Sequence, residues 1–265
     1  MTTLQRFLGF LCLILVAINA HATTIPLQAV TDDDMKKISG DLSANFLHTS
    51  VSGANTLGSI WGFEVGLVGG QSSTPNLNDV VHKTDPTADA SKLYNAEILG
   101  VLSVPFGITG ELGVLPKYTN SGISISSTNL AVKWTLTETL LSDLPFSLAV
   151  KGVYSKADVK FSQAISGVPI DYSLGSQSTA GMVMISKNLM IVEPYVGVGM
   201  VNGKGDMSAN ATSVFASGST SANATKSGLM YMGGIELKLI VFKVGAEYAN
   251  IMGDGRMSGK LSFYF

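Results

Sequence analysis

Met257-Ser258-Gly259-Lys260-Leu261-Ser262-Phe263-Tyr264-Phe265 alternates without a break. Met257, Gly259, Leu261, Phe263 and Phe265 fall on one face, and Ser258, Lys260, Ser262 and Tyr264 on the other. Side chains on a strand point to opposite faces with period two, so this stretch is a strand with one oily and one wet side. Just upstream, Asp254-Gly255 is a two-residue hairpin signal whose flanks alternate correctly. The same alternation continues back along most of the chain.

The bulk numbers say what kind of sheet this is. Of 265 residues, 46% are hydrophobic and only 14% charged, with 29 Gly, and the mean hydropathy is +0.32. Soluble domains carry about 25% charge. After residue 20 there is no apolar run near the roughly 20 residues a membrane helix needs. In lipid a chain without spanning helices can satisfy its backbone only as a closed barrel. At the N-terminus, Arg6, the apolar core Phe7 to Ala17 and Ala20-His21-Ala22 read as a signal peptide over 1–22, with the mature chain starting near Thr23. The single cysteine, Cys12, lies inside that core, so the mature chain has neither a disulfide nor a thiolate site. Loss of Arg6 takes the formal charge from −2 to −3. Neither sign dominates enough to imply nucleic acid.

Residues 23–58 form a periplasmic or plug segment. Thr31 or Asp32 caps a helix over 31–50, with acids in its first turn and Met35, Ile38, Leu42, Phe46 and Leu47 at helical spacing. Gly40 opposes it, and a strand at 43–51 is the rival reading. Residues 59–265 carry ten strands, with twelve the alternative count: 59–70, 93–104, 107–118, 123–137, 145–158, 173–186, 190–203, 226–239, 241–252 and 256–265. Short turns (104–106, 137–144, 187–189, 240–241) alternate with long polar loops (71–92, 159–172, 204–225), the last low in complexity and read as disordered. With both termini in the periplasm, every long loop lands outside. The lipid face then carries Trp61, Trp134, Phe146, Phe242 and Phe265 near the inner rim and Tyr154, Tyr231 and Tyr248 near the outer, two aromatic girdles. Either face of 173–186 could be the lipid face.

The alternating terminal strand with its final Phe, the loop asymmetry and Glu193-Pro194-Tyr195-Val196-Gly197-Val198-Gly199-Met200 resemble Gram-negative outer-membrane β-barrels over residues 59–265. The resemblance implies an all-β fold: a closed antiparallel up-and-down transmembrane barrel in the cell outer membrane. It also implies the lipid bilayer and lipopolysaccharide as surroundings, and the barrel assembly machinery as a partner reading Leu261, Phe263 and Phe265.

The inward face carries Glu64, Glu97, Glu111, Glu193, Glu236 and Glu247 with Lys117, Lys133, Lys151, Lys238, Lys243 and Lys260. Unpaired charges in a narrow interior are costly, so equal numbers point to mutual pairing. The plain reading is a structural ion-pair network. An ion path or a set of catalytic carboxylates are the sharper ones. Inward glycines (Gly62, Gly66, Gly113, Gly197, Gly199, Gly234, Gly245) either bend strands or leave a cavity for a small ligand or for the helix as a plug. Ten strands are too few for an open porin lumen.

His82 near Asp79, Asp85 and Asp89 invites comparison with barrel proteases, but sits on one polar loop. His48 belongs to the helix, packed or exposed. Asp32-Asp33-Asp34 is a solvated cap. No metal, cofactor or phosphate-binding motif is present in the sequence. The expected function is binding or passing of small molecules, apolar ones included, through a narrow lumen. A structural or surface-interaction barrel is the alternative, and a hydrolase the remotest. The expectation is a protein that is not an enzyme.

Overall fold

The computed structural model describes residues 31–58, 61–83, 89–120, 122–165, 168–212 and 217–265. The expected signal peptide, its cleavage site, Cys12 and Asp85 lie outside the described residues.

Alternation produces ten antiparallel strands: β1 (Gly62–Ser73), β2 (Lys92–Val104), β3 (Ile108–Asn120), β4 (Ile123–Thr135), β5 (Ser147–Ile165), β6 (Val168–Ser186), β7 (Val192–Thr212), β8 (Ser217–Leu239), β9 (Phe242–Ile251) and β10 (Asp254–Tyr264). Each pairs with its chain neighbours, and β1 closes on β10 from Glu64↔Tyr264 to Ser72↔Arg256. The result is a closed up-and-down barrel with no sheet edge at membrane level, the form a strand protein must take in lipid. Its outside is oily: Trp61, Phe63, Val65, Leu112, Leu130, Val132, Val198, Tyr231 and Leu261 are all exposed. Short turns cluster at the end where Phe265 lies, the periplasmic end of such a barrel. Strand β6 settles the one ambiguous face. Val183 and Ile185 point out, while Met182 and Met184 are buried inside.

Three readings are corrected. Residues 159–172, expected as a polar loop, and 204–225, expected as a disordered one, are not loops where they are described. Their described parts continue β5–β6 and β7–β8 as tall hairpins, because small polar residues alternating in register pair as readily above the membrane as within it. The β9–β10 turn is Met252-Gly253, both at positive φ (57° and 104°), and Asp254 already pairs with Ile251. A two-residue shift keeps every side chain on its own face, so alternation alone could not place this turn. No strand forms at 43–51; a helix occupies residues up to Phe46. The helix that precedes β1 lies at the outer mouth rather than on the periplasmic side.

That helix is α1 (Asp32–Phe46). Thr31 Oγ1 accepts from the Asp34 amide, and the Asp34 carboxylate accepts from the Thr31 N–H, a full capping box. Lys83 donates to Asp34 and so holds that carboxyl below the ordinary range, helped by Thr31. Met35, Ile38, Leu42 and Phe46 form a core with Val80, Val81, Ala157, Tyr172, Leu174 and Met207. A second helix, α2 (Pro75–His82), follows β1 in the outer loop. Its Asn76 Nδ2 and Leu77 N–H donate to Asp41 at 2.6 and 2.9 Å, tying it to α1. Gly40 is in the helix because the Lys226 side chain crosses there; a Cβ would lie 2.5 Å from its Nζ.

Candidate functional site: the occluded lumen

From Leu47 to Leu57 the chain runs down the lumen, from the outer half to the periplasmic rim. Its partners mark the descent. Arg256 Nη1 donates to the Ala44 (3.1 Å) and Leu47 carbonyls, and Nη2 to Thr49 Oγ1 (2.7 Å). His48 Nδ1 meets Glu97 Oε1 at 2.7 Å and Nε2 meets Glu111 Oε2 at 3.0 Å. A neutral imidazole has one donor, so only the imidazolium form donates to both carboxylates. Ser50 Oγ donates to Glu111, and Lys260 Nζ to Ser52 Oγ. Lower down, the Ser186 hydroxyl accepts from Ala54 N–H, and Thr135 Oγ1 donates to the Ala54 carbonyl. Leu57 N–H donates to Ser103 Oγ at the base.

The wall beneath is ionic. Lys243 lies between Glu64 (3.0 Å) and Glu236 (3.1 Å), and Lys260 joins the same two at 2.8 and 2.5 Å. This square of alternating charge gives each buried ion two opposite neighbours, the arrangement that best offsets desolvation. Lys151 pairs with Glu111 at 2.6 Å and Lys238 with Glu193 at 2.7 Å. Lys133 caps the plug's carbonyls instead, donating to Gly53 O and Asn55 O at 2.7 and 2.8 Å. Glu247 accepts from the Tyr195 hydroxyl at 2.9 Å and lies 3.9 Å from Arg256.

The structure thus brings eleven of the twelve expected charges inside and leaves out Lys117. Lys117 is exposed because β3 shifts register between Leu115 and Tyr118, and a slipped residue breaks the period-two count. Its place as a cation is taken by Arg256, whose even number on β10 puts it on the face of Lys260. That signal was present in the terminal alternation. His48 is neither on the helix nor exposed, and no periodicity could have located it, because the segment after Phe46 is neither helix nor strand. Leu261 and Phe265 point outward and are exposed. His82 ends α2 in the outer loop. Among the described residues, no cluster of three or more acidic or histidine side chains could hold a metal.

The inward glycines are spaces filled by other parts of the chain. A Cβ on Gly245 would lie 2.9 Å from the Val51 carbonyl oxygen, one on Gly62 would strike Leu57, and one on Gly234 would strike the Tyr195 ring. Val51 itself sits at φ +50°, unusual for a β-branched residue. Among the described residues, a void of about 20 Å³ lies beside His48 and Arg256 and one of about 10 Å³ beside Lys133 and Lys243.

A family model matches residues 87–252. The chain belongs to DUF6588, a family of unknown function. The match spans β2 to β9 of this DUF6588 barrel in full; residues 31–58 lie outside it. Among solved structures, the chain is similar to the attachment invasion locus protein Ail of Yersinia pestis, crystallised with the heparin analogue sucrose octasulfate (15% identity, 77% of this chain and 97% of that one, TM-score 0.36). It is similar also to the outer membrane protease OmpT of Escherichia coli (9%, 77% and 96%, TM-score 0.47) and to the translocator domain of the autotransporter NalP of Neisseria meningitidis (9%, 80% and 90%, TM-score 0.44). A comparison with curated proteins gave no match. The likenesses are of fold alone. The closed barrel and its oily exterior make this DUF6588 member an integral protein of the cell outer membrane, bounded by lipid bilayer and lipopolysaccharide.

Proposed function

We propose that this barrel works with its lumen shut and acts through its extracellular face. One observation carries the reading: residues 47–57 thread the interior and leave voids of only about 20 and 10 Å³. A single water needs about 10–15 Å³, so neither void admits a hydrated ion or a metabolite. Single-channel recording in planar bilayers tests it. The mature chain is expected to give no conductance steps, and a variant lacking 32–57 to give them. Steady conductance from the intact chain would overturn the reading.

A second reading, passage of small molecules including apolar ones, requires the plug to move aside. What favours it is the chemistry of the lower plug, held by hydrogen bonds and ions that water can replace, whereas α1 is held by apolar packing. Solute flux that disappears when Val51→Cys and Gly245→Cys are oxidised to a cross-link would support it.

A further inference from the structure

The barrel wall is not level at its outer end. β7 accompanies β8 all the way to Ser217, but β9 pairs with β8 only over Met230–Leu239. The β9–β10 turn stops at Met252, whose N–H donates to the Leu229 carbonyl at 2.9 Å. Above that point, among the described residues, β8 has a paired strand on one side only. Among the described residues, no main-chain hydrogen bond reaches the other side of Ser221–Gly228.

Two bonds fix which residues face this open side. Lys238 N–H donates to Ile191 O, toward β7, and Leu229 O accepts from Met252, toward β9. In an antiparallel strand both main-chain groups of one residue point the same way, and the direction alternates. Ser221, Asn223, Thr225 and Ser227 therefore each turn an N–H and a C=O to the open side. Their side chains are exposed on the outer face. The opposite face is pinned: Ala222 and Ala224 pack on the core around α1, and the Lys226 side chain crosses Gly40. The edge cannot twist away, and the β7–β8 register runs without a shift, so no bulge blunts it.

Protein edges left open are ordinarily protected by charge, proline or bulges. Residues 221–228 contain no proline, and no exposed side chain among them is charged. A second copy in the same membrane does not fit. Copies related by an axis along the membrane normal, with strands tilted 35–45°, would cross at roughly 70–90° and could not share a ladder. A free extended peptide has no such constraint.

We propose that the outer edge of β8, Ser221–Gly228, takes up an extended segment of another polypeptide by main-chain hydrogen bonding, the strand-addition mode of peptide recognition. This rests on the reading of a barrel that acts outward, and names the partner class. Because the main chain supplies the bonds, recognition tolerates many sequences but demands the extended conformation.

The test is residue-resolved amide hydrogen exchange on the intact barrel in nanodiscs. The probe is a peptide of alternating Thr and Val capped with Lys. The peptide should slow exchange at Ser221, Asn223, Thr225 and Ser227 by about tenfold or more, leaving the even-numbered amides unchanged. Thr225→Pro removes an N–H that bonds to nothing among the described residues and should abolish the slowing while the barrel stays folded; Thr225→Ala should keep it. Three results would overturn the proposal: these amides already protected in the free protein, no slowing with peptide, or slowing that survives Thr225→Pro. Conductance of the same protein preparation in planar bilayers reports separately on whether the lumen is shut.

Discussion

Arg256 is the side chain on which the plug turns. It is 2% exposed, holds the carbonyls that end α1, reaches Thr49 and stands beside Glu247. Arg256→Met would leave those carbonyls without a donor and Glu247 without its neighbouring cation. Removing one member of a buried charged set costs about 3–5 kcal/mol, so the unfolding midpoint in detergent should fall well below that of the parent. Lys117→Met is the matched control. It removes the expected lumen charge that is exposed, and should shift stability by no more than about 0.5 kcal/mol. Equal effects from the two would contradict the placement of both residues. The interior charges were readable residue by residue wherever the strand kept period two, and failed at the one slipped strand.

At the scale of elements, α1 is docked by shape and by one buried acid. A Cβ on Gly205 would lie 2.7 Å from Ser39 Cβ and 3.1 Å from its Cα, against helix backbone that cannot yield. Gly205→Leu should lift α1 and open Lys36 and Lys37 to trypsin added outside intact cells. Gly152→Leu, on a site with nothing within 4 Å, should not. Asp41 adds a pH term above the membrane. Burial pushes its carboxyl above the ordinary value, against the pull of Asn76 and Leu77. A folded-state acid with a raised pKa favours the docked helix while protonated; that contribution is whole below the unfolded pKa and is lost as pH rises through the folded one. Asp41→Asn should therefore raise the melting temperature at pH 8, and the gain should shrink as pH falls into the carboxylate range. A gain that grew toward acid pH would reverse the assignment.

For the whole molecule, the inside is layered. Apolar packing around α1 fills the outer half, methionines and Tyr195 the middle, and ion pairs the base. Deleting 32–57 would expose all three layers and free Lys133 of both its acceptors. Such a barrel should insert and conduct but melt at lower temperature than the parent, checked by loss of heat-modifiable mobility on gels. A deletion variant as heat-stable as the parent would mean that the plug contributes nothing to the fold.

Alternation by itself determined the strands at membrane level, the lipid face of all but β6 and most of the inward charges, because period two sorts each residue to one side whatever its neighbours in space. The capped helix was equally legible from Thr31, its first-turn acids and the spacing of Met35, Ile38, Leu42 and Phe46. Only the tertiary structure decided that this helix sits at the outer mouth, that Gly62 and Gly245 make room for the segment after it, that His48 joins the ionic interior, and that β8 outgrows β9. Those are facts of strand register and of a non-periodic segment's path, set by contacts between residues far apart in the chain, on which local pattern is silent.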